Sequence, residues 1–262
     1  VIKCTIFLAK RNKKFNEIFF SERQPVSFEK LRYDFKNNIF DKEKFESLKD
    51  NGILILENVL DQKEHRDIQN DFKENFNLNL TKEIKNIKSD SIIMKKIDKE
   101  FNQDSSLVKI SNLITKEIYG CLVEPKHLYL YAQAINLPEK KFPGDNMFHV
   151  DRFLPNLKMI YFPHSVDKDS SPFMYALGSH KINQEYLNFF LNNKHWIFDE
   201  RNPDSQQFLD NAKEITVNEN SLIVALTNGF HSRASFRKKT ERATLFFTYP
   251  KFNLASLLFP NN

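Results

Sequence analysis

The spacing of apolar side chains predicts helices in the first half of the chain and strands in the second. Phe45 and Leu48 lie three apart, just ahead of the helix-stopping pair Asn51-Gly52, which predicts a short helix over 42–50. Ile53-Leu54-Ile55-Leu56 follows as an unbroken apolar run, the pattern of a buried strand. Asp61 is placed to cap a further helix, with Glu64 three residues on, and Ile68, Phe72 and Phe76 then recur at every fourth position as one apolar stripe. Leu107, Ile110, Ile114 and Ile118 form a second stripe, predicting a helix from Ser105 to Tyr119 that Gly120 ends.

Beyond Pro125 the period changes. The stretches 127–135, 147–151, 157–162, 172–176, 213–217, 221–227 and 242–249 are rich in β-branched and aromatic residues, and each reads as a strand. Turn formers separate them: Pro143-Gly144-Asp145-Asn146, the stretch 167–171, and Asn228-Gly229. One helical insert, about 183–193, interrupts the series. Helices first and many short strands afterwards predict a mainly β chain, an antiparallel barrel or jelly roll buttressed by N-terminal helices. Residues 1–40 are charged and aromatic without clear periodicity and read as an extension packed on a single domain over 41–262.

Composition narrows the classes. The chain has 262 residues, 40% of them hydrophobic and 28% charged, an ordinary globular balance for one large domain. A formal net charge of +5, with the charges interspersed, is too small to argue for nucleic-acid binding and is compatible with an anionic small-molecule substrate. Cys4 and Cys121 are too few and too far apart for a disulfide framework or a thiolate zinc site, so a reducing, cytoplasmic setting is the expectation. No apolar stretch reaches the length of a membrane span.

Candidate chemistry begins at Phe148-His149-Val150-Asp151-Arg152-Phe153. Side chains at i and i+2 of a strand share a face, so His149 and Asp151 can aim at one point inside a barrel. A third ligand is available in His231, at the exit of the apolar strand 221–227. Two histidines and one carboxylate on one face of an octahedron leave positions open, the ligand set of non-haem Fe(II) oxygenases. Arg242 lies eleven residues past His231, at the start of a strand expected to return antiparallel to 221–227. Its planar fork suits a carboxylate, and 2-oxoglutarate is the cosubstrate that chelates iron at one end and presents a carboxylate at the other.

With these residues the chain resembles the phytanoyl-CoA dioxygenase-like branch of the Fe(II)/2-oxoglutarate-dependent oxygenases. His149-Val150-Asp151, His231 and Arg242 carry the likeness, together with the turn Gly178-Ser179-His180-Lys181 and the opening Phe45–Leu60. It covers about residues 40 to 250. The resemblance implies a double-stranded β-helix (jelly-roll, cupin-like), Fe(II) held by His149, Asp151 and His231, and Arg242 on the distal carboxylate of 2-oxoglutarate. It also implies a dioxygenase that uses O2 to hydroxylate a small or medium-sized organic substrate, with release of succinate and CO2. Some members carry a small hydroxyl residue two past the distal histidine. Here that position is Arg233 and Ser232 is adjacent, which makes Ser232 the candidate for a second cosubstrate contact. In halogenating relatives a small residue replaces the carboxylate, so Asp151 favours hydroxylation or a related oxidation.

Other residues receive weaker assignments. Alternation along 127–135 puts Tyr129, Tyr131 and Gln133 on one face, and Tyr131 and Gln133 are candidate cosubstrate contacts. Lys140, Lys141, Arg152 and Lys158 surround the His-x-Asp strand and suggest an anionic substrate. Arg233 and Arg237 are alternatives to Arg242. His65 falls on the charged face of its helix, and His180 reads as structural or substrate-facing. Two other classes use similar ligands: a zinc or manganese hydrolase or isomerase on a cupin-like barrel, and a non-catalytic barrel that only binds. The first has no particular need for Arg242, and the second predicts no turnover of 2-oxoglutarate.

Overall fold

The computed structural model describes residues 42–75, 92–98, 105–119, 127–135, 148–151, 156–181, 183–192, 206–235, 237–238 and 240–248. The extension 1–40, Phe76, Gly120, Lys140, Lys141 and Arg152 lie outside the described residues.

The local signals shape the N-terminal half. Helix α1 (Lys42–Asn51) stops at Gly52, which takes a φ of 79° and donates its N–H to the Leu48 carbonyl. Strand β1 (Ile53–Leu56) follows. Helix α2 (Gln62–Asn75) is capped by Asp61, whose Oδ1 accepts the N–H groups of Lys63 and Glu64, both at 2.9 Å. After β2 (Ile92–Asp98), helix α3 (Ser106–Tyr119) begins with Ser105 Oγ accepting from the Val108 N–H. The remaining elements are β3 (His127–Ile135), β4 (Leu157–Phe162), β5 (Phe173–Ala176), α4 (Gln184–Asn192), α5 (Gln206–Leu209), β6 (Ala212–Ile215), β7 (Ser221–Leu226), β8 (His231–Arg233) and β9 (Thr240–Thr248). Strands β2 and β8 and the short α5 are additions to the elements that the periodicity predicts.

Two antiparallel sheets face each other. The larger has the order β1-β7-β4-β9-β3-β2, and the smaller has the order β6-β5-β8. A bridge between His149 and His231 adds the segment 148–150 beyond β8. From β3 onward the chain passes from the larger sheet to 148–150, back to β4, across to β5 and β6, back to β7, across to β8 and back to β9. This alternation is the double-stranded β-helix, and it corrects one expectation. Strand β9 pairs with β3 and β4 rather than with β7, because the chain leaving β7 crosses to the smaller sheet as β8 before returning.

Period-two alternation then sorts the side chains into layers. On β4, Leu157, Met159 and Tyr161 pack outward against Leu48, Phe72, Leu107, Ile110 and Ile114 beneath the helices. Ile160 and Phe162 point the other way, into a cluster with Phe173, Tyr175, Val217 and Ile223 between the sheets. A third cluster, Phe148, Val150, Tyr186, Phe189, Phe190 and Phe230, covers the outer face of the smaller sheet under α4. Each such large side chain contributes about 1.5–3 kcal/mol on burial, so three clusters together fix which face of every strand looks inward. His65 is corrected by the same layering. It is buried, with Nδ1 at 2.8 Å from the Tyr161 hydroxyl, rather than on a charged face.

Candidate metal centre

Strand register brings the three candidate ligands together. His149 and His231 exchange backbone hydrogen bonds, N–H to O at 2.9 Å in both directions, so they sit directly opposite each other and share a face. Phe148 and Val150 occupy the outer cluster, which turns His149 inward, and Asp151, two residues on, follows the same alternation. The Asp151 N–H is in turn held by the Thr227 carbonyl at 2.8 Å, and Thr227 by Asn156. On β8, His231 pairs with Tyr175, an inner-cluster residue, and its ring lies 5.6 Å from that of Phe173.

The resulting ligand atoms lie within 4.8 Å of one another. Asp151 Oδ1 is 3.6 Å from His231 Nε2 and 3.9 Å from His149 Nε2, and the two imidazole centroids are 4.5 Å apart. His231 Nδ1 donates to the Gly229 carbonyl at 2.9 Å, which leaves Nε2 as the lone-pair nitrogen. That buried Nε2 has no hydrogen-bond partner among the described residues. Burial pushes the His231 pKa down despite the opposing carboxylate, which favours the neutral, ligating form. An orphaned nitrogen aimed at a second imidazole and a carboxylate fits a divalent cation.

Asp151 has a further partner. Lys158, on the inward face of β4, places Nζ 2.7 Å from Asp151 Oδ2. Burial raises the carboxyl pKa, but the nearby His231 imidazole and the Lys158 ammonium outweigh it, and the group stays well below the usual carboxylate range. One carboxylate oxygen therefore faces the histidines while the other is occupied by a cation. This alters the reading of Lys158, which is engaged with a candidate ligand rather than waiting for an anionic substrate.

Arg242 enters from the larger sheet. Its neighbours Ala243, Leu245 and Phe247 face the helices, so Arg242 faces the barrel interior, where its guanidinium carbon lies 5.6 Å from the Phe162 ring centre. Burial, with a contribution from nearby Arg233, pushes its pKa down to about 9, still charged at neutral pH. Gln133 lies opposite Arg242 in the β3–β9 register, and Tyr131 opposite Thr244. Arg237 is on the surface, paired with Glu214, and so is no alternative to Arg242.

Ser232 does not join this group. It pairs with Met174, which packs on the outer cluster under α4, so its hydroxyl points away from His231. The residue that shares His231's inward face is Arg233, paired with inner-cluster Phe173. The two-residue alternation that links His149 to Asp151 also links His231 to Arg233, but that signal is unreadable while His231 is assigned to a turn. His180 proves structural. It is buried, and Nε2 donates to the Lys49 carbonyl at the end of α1 at 2.9 Å.

No family model and no curated protein matches the sequence. Solved structures do match the fold. The 2-oxoglutarate-dependent carbocyclase SnoK from nogalamycin biosynthesis aligns with a TM-score of 0.57 at 13% identity, covering 80% of this chain and 83% of its own. HygX from Streptomyces hygroscopicus, crystallised with nickel and 2-oxoglutarate, aligns with a TM-score of 0.53 at 12% identity, covering 81% and 88%. The epimerase SnoN, in complex with Fe3+, α-ketoglutarate and nogalamycin RO, aligns with a TM-score of 0.54 at 12% identity, covering 82% and 88%. At these identities the likeness establishes the architecture: a jelly-roll core of the kind on which iron- and 2-oxoglutarate-dependent enzymes are built. No helix among the described residues is long and apolar enough to cross a membrane.

Proposed function

We propose that this chain is an Fe(II)/2-oxoglutarate-dependent oxygenase, carried by one domain over 41–262, that hydroxylates a small or medium-sized organic substrate. The observation that carries the reading is the convergence of His149, Asp151 and His231 inside a barrel whose opposite wall supplies a buried arginine, Arg242. A hydrolytic metal site has no use for that arginine, whereas a dicarboxylic 2-oxo acid does. The iron- and 2-oxoglutarate-bound neighbours on the same fold support the choice of metal and cosubstrate. They include a carbocyclase and an epimerase, and Asp151 in the third ligand position favours hydroxylation or a related oxidation over halogenation.

When bound, Fe(II) with 2-oxoglutarate supplies oxidation by O2, releasing succinate and CO2. The chain's part is to hold and orient. His149 Nε2, His231 Nε2 and Asp151 Oδ1 hold the metal, and the Gly229 carbonyl keeps His231 in the ligating tautomer. Lys158 occupies Oδ2 and so restrains Asp151 to one donor oxygen. Arg242 binds the distal carboxylate, and the Phe162 ring packs against its guanidinium.

The test is anaerobic addition of Fe(II) and then 2-oxoglutarate to metal-free protein, read by visible absorption. A weak charge-transfer band that needs both additions, and is lost in Asp151→Ala and Arg242→Ala, is the expected result. Tight zinc binding without such a band would turn the reading toward a hydrolase.

A further inference from the structure

Lys158 and Asp151 are anchored to the same few residues at the end of β7. The Asp151 N–H donates to the Thr227 carbonyl at 2.8 Å, and the Thr227 N–H donates to the Asn156 carbonyl at 2.6 Å. Asn156 Nδ2 donates to Thr227 Oγ1 at 2.7 Å. Two residues on, Lys158 stands opposite Ala225 in the β4–β7 register. Its neighbours Leu157 and Met159 pack under the helices, so Lys158 points between the sheets, beside the small Ala225. The ion pair is built into the barrel rather than gathered from the surface.

The ammonium divides the carboxylate. Nζ lies 2.7 Å from Asp151 Oδ2, the short distance of a charge-assisted hydrogen bond, while Oδ1 is 3.6 Å from His231 Nε2 and 3.9 Å from His149 Nε2. A carboxylate can give a metal one oxygen or both. Two imidazoles and one oxygen leave three positions of an octahedron open, and a second oxygen would leave two. A chelating 2-oxo acid takes two. Only the one-oxygen arrangement then leaves a place for O2.

We propose that Lys158 is a positioning residue for this site: by holding Oδ2 it keeps Asp151 a one-oxygen ligand, so that cosubstrate and O2 do not compete for one position. The same hold selects against larger cations, which gain most from taking both oxygens. The part concerning O2 rests on the function proposed above, whereas the part concerning cation size needs only the metal site. A lysine also opposes every divalent ion by its charge, so the preference between ions, not the overall affinity, reports the hold.

Two anaerobic titrations compare wild type with Lys158→Met, which removes charge and donor, and Lys158→Arg, which keeps both. In the first, metal-free protein takes up Co(II) or the larger Cd(II), which readily accepts both oxygens of a carboxylate. Lys158→Met is expected to gain about tenfold more affinity for Cd(II) than for Co(II), with Lys158→Arg at the wild-type preference. In the second, Fe(II)-loaded protein is titrated with nitric oxide, a stand-in for O2, with and without saturating 2-oxoglutarate. The acid should leave nitric oxide binding intact in wild type and Lys158→Arg, and weaken it about tenfold or more in Lys158→Met. An unchanged metal preference in Lys158→Met overturns the proposal, as does nitric oxide binding that 2-oxoglutarate leaves untouched there. Should Lys158→Met fail to fold, Lys158→Gln, neutral and one atom shorter, is held to the same two outcomes. Wild type that binds metal but no 2-oxoglutarate overturns the proposed function, and the Co(II) and Cd(II) titration then decides the role of Lys158 by itself.

Discussion

Lys158 Nζ lies 2.7 Å from Asp151 Oδ2, so a lysine of the larger sheet is ion-paired to a candidate metal ligand attached to the smaller one. Both side chains are 24% exposed, buried enough for the pair to matter and open enough for solvent to screen it in part. Among the described residues, the ammonium is the cation nearest the carboxylate. A bound divalent ion would share that duty through Oδ1.

Lys158→Met should therefore destabilise the metal-free protein by about 1 kcal/mol, because it strands a partly buried carboxylate that solvent screens in part. Saturating Mn(II) should close most of the gap, since the metal then neutralises Asp151. Denaturant unfolding with and without the metal reads both numbers. A deficit that the metal leaves untouched would assign Lys158 to packing instead.

Metal binding should itself stabilise the fold. At a hundredfold excess over Kd, a divalent cation contributes about 2.7 kcal/mol. For a chain of this size that is a rise in Tm of about 5–10 °C. His231→Ala and Asp151→Ala should each abolish the rise, and a scan with and without Mn(II) would show it.

Gly229 carries a prediction that combines fold and site. A Cβ there would collide with the Tyr175 hydroxyl, which donates to the Leu226 carbonyl at 2.8 Å. The Gly229 carbonyl also receives the Nδ1–H of His231. Gly229→Ala should cost about 2–4 kcal/mol of stability and weaken metal binding about 10–100-fold, measured by unfolding and by metal titration. Full metal affinity in a folded Gly229→Ala protein would show that the carbonyl does not orient His231.

The pH dependence of stability should reflect His180. Burial pushes its pKa down to about 4, against an ordinary value of 6.5. The unfolded state thus binds the proton more readily than the folded one between these values. Stability from this residue is fully present above about pH 6.5 and is lost as the pH falls toward 4, by up to about 3 kcal/mol. His180→Gln keeps a donor for the Lys49 carbonyl but cannot titrate. Its stability profile should be flatter than the wild type's across that window, and superimposable slopes would dismiss the assignment.

Much of the architecture was legible in the chain because it rests on local physics. The Asp61 cap, the Gly52 stop, the stripes on α2 and α3 and the β-branched runs act within a few residues of one another. The pairing of His149 with Asp151 needs only the knowledge that the segment is extended. The step from His231 to Arg242 needs only a family pattern. Both ends of that step do reach the barrel interior.

The tertiary structure decided what depends on register between distant segments. Ser232 and Arg233 are adjacent, and the sequence cannot choose between them until β8 pairs with β5 and Phe173 settles which residue faces inward. Lys158 could have served a substrate until the barrel closed and set it against Asp151. Strand β9 could have joined β7 until β4 took the place between them. The sequence by itself determined the candidate ligands His149, Asp151 and His231 and most of the strands, because propensity and alternation are short-range. Which side chains meet was left to the order and register of the strands, because that is settled by burying three apolar layers at once.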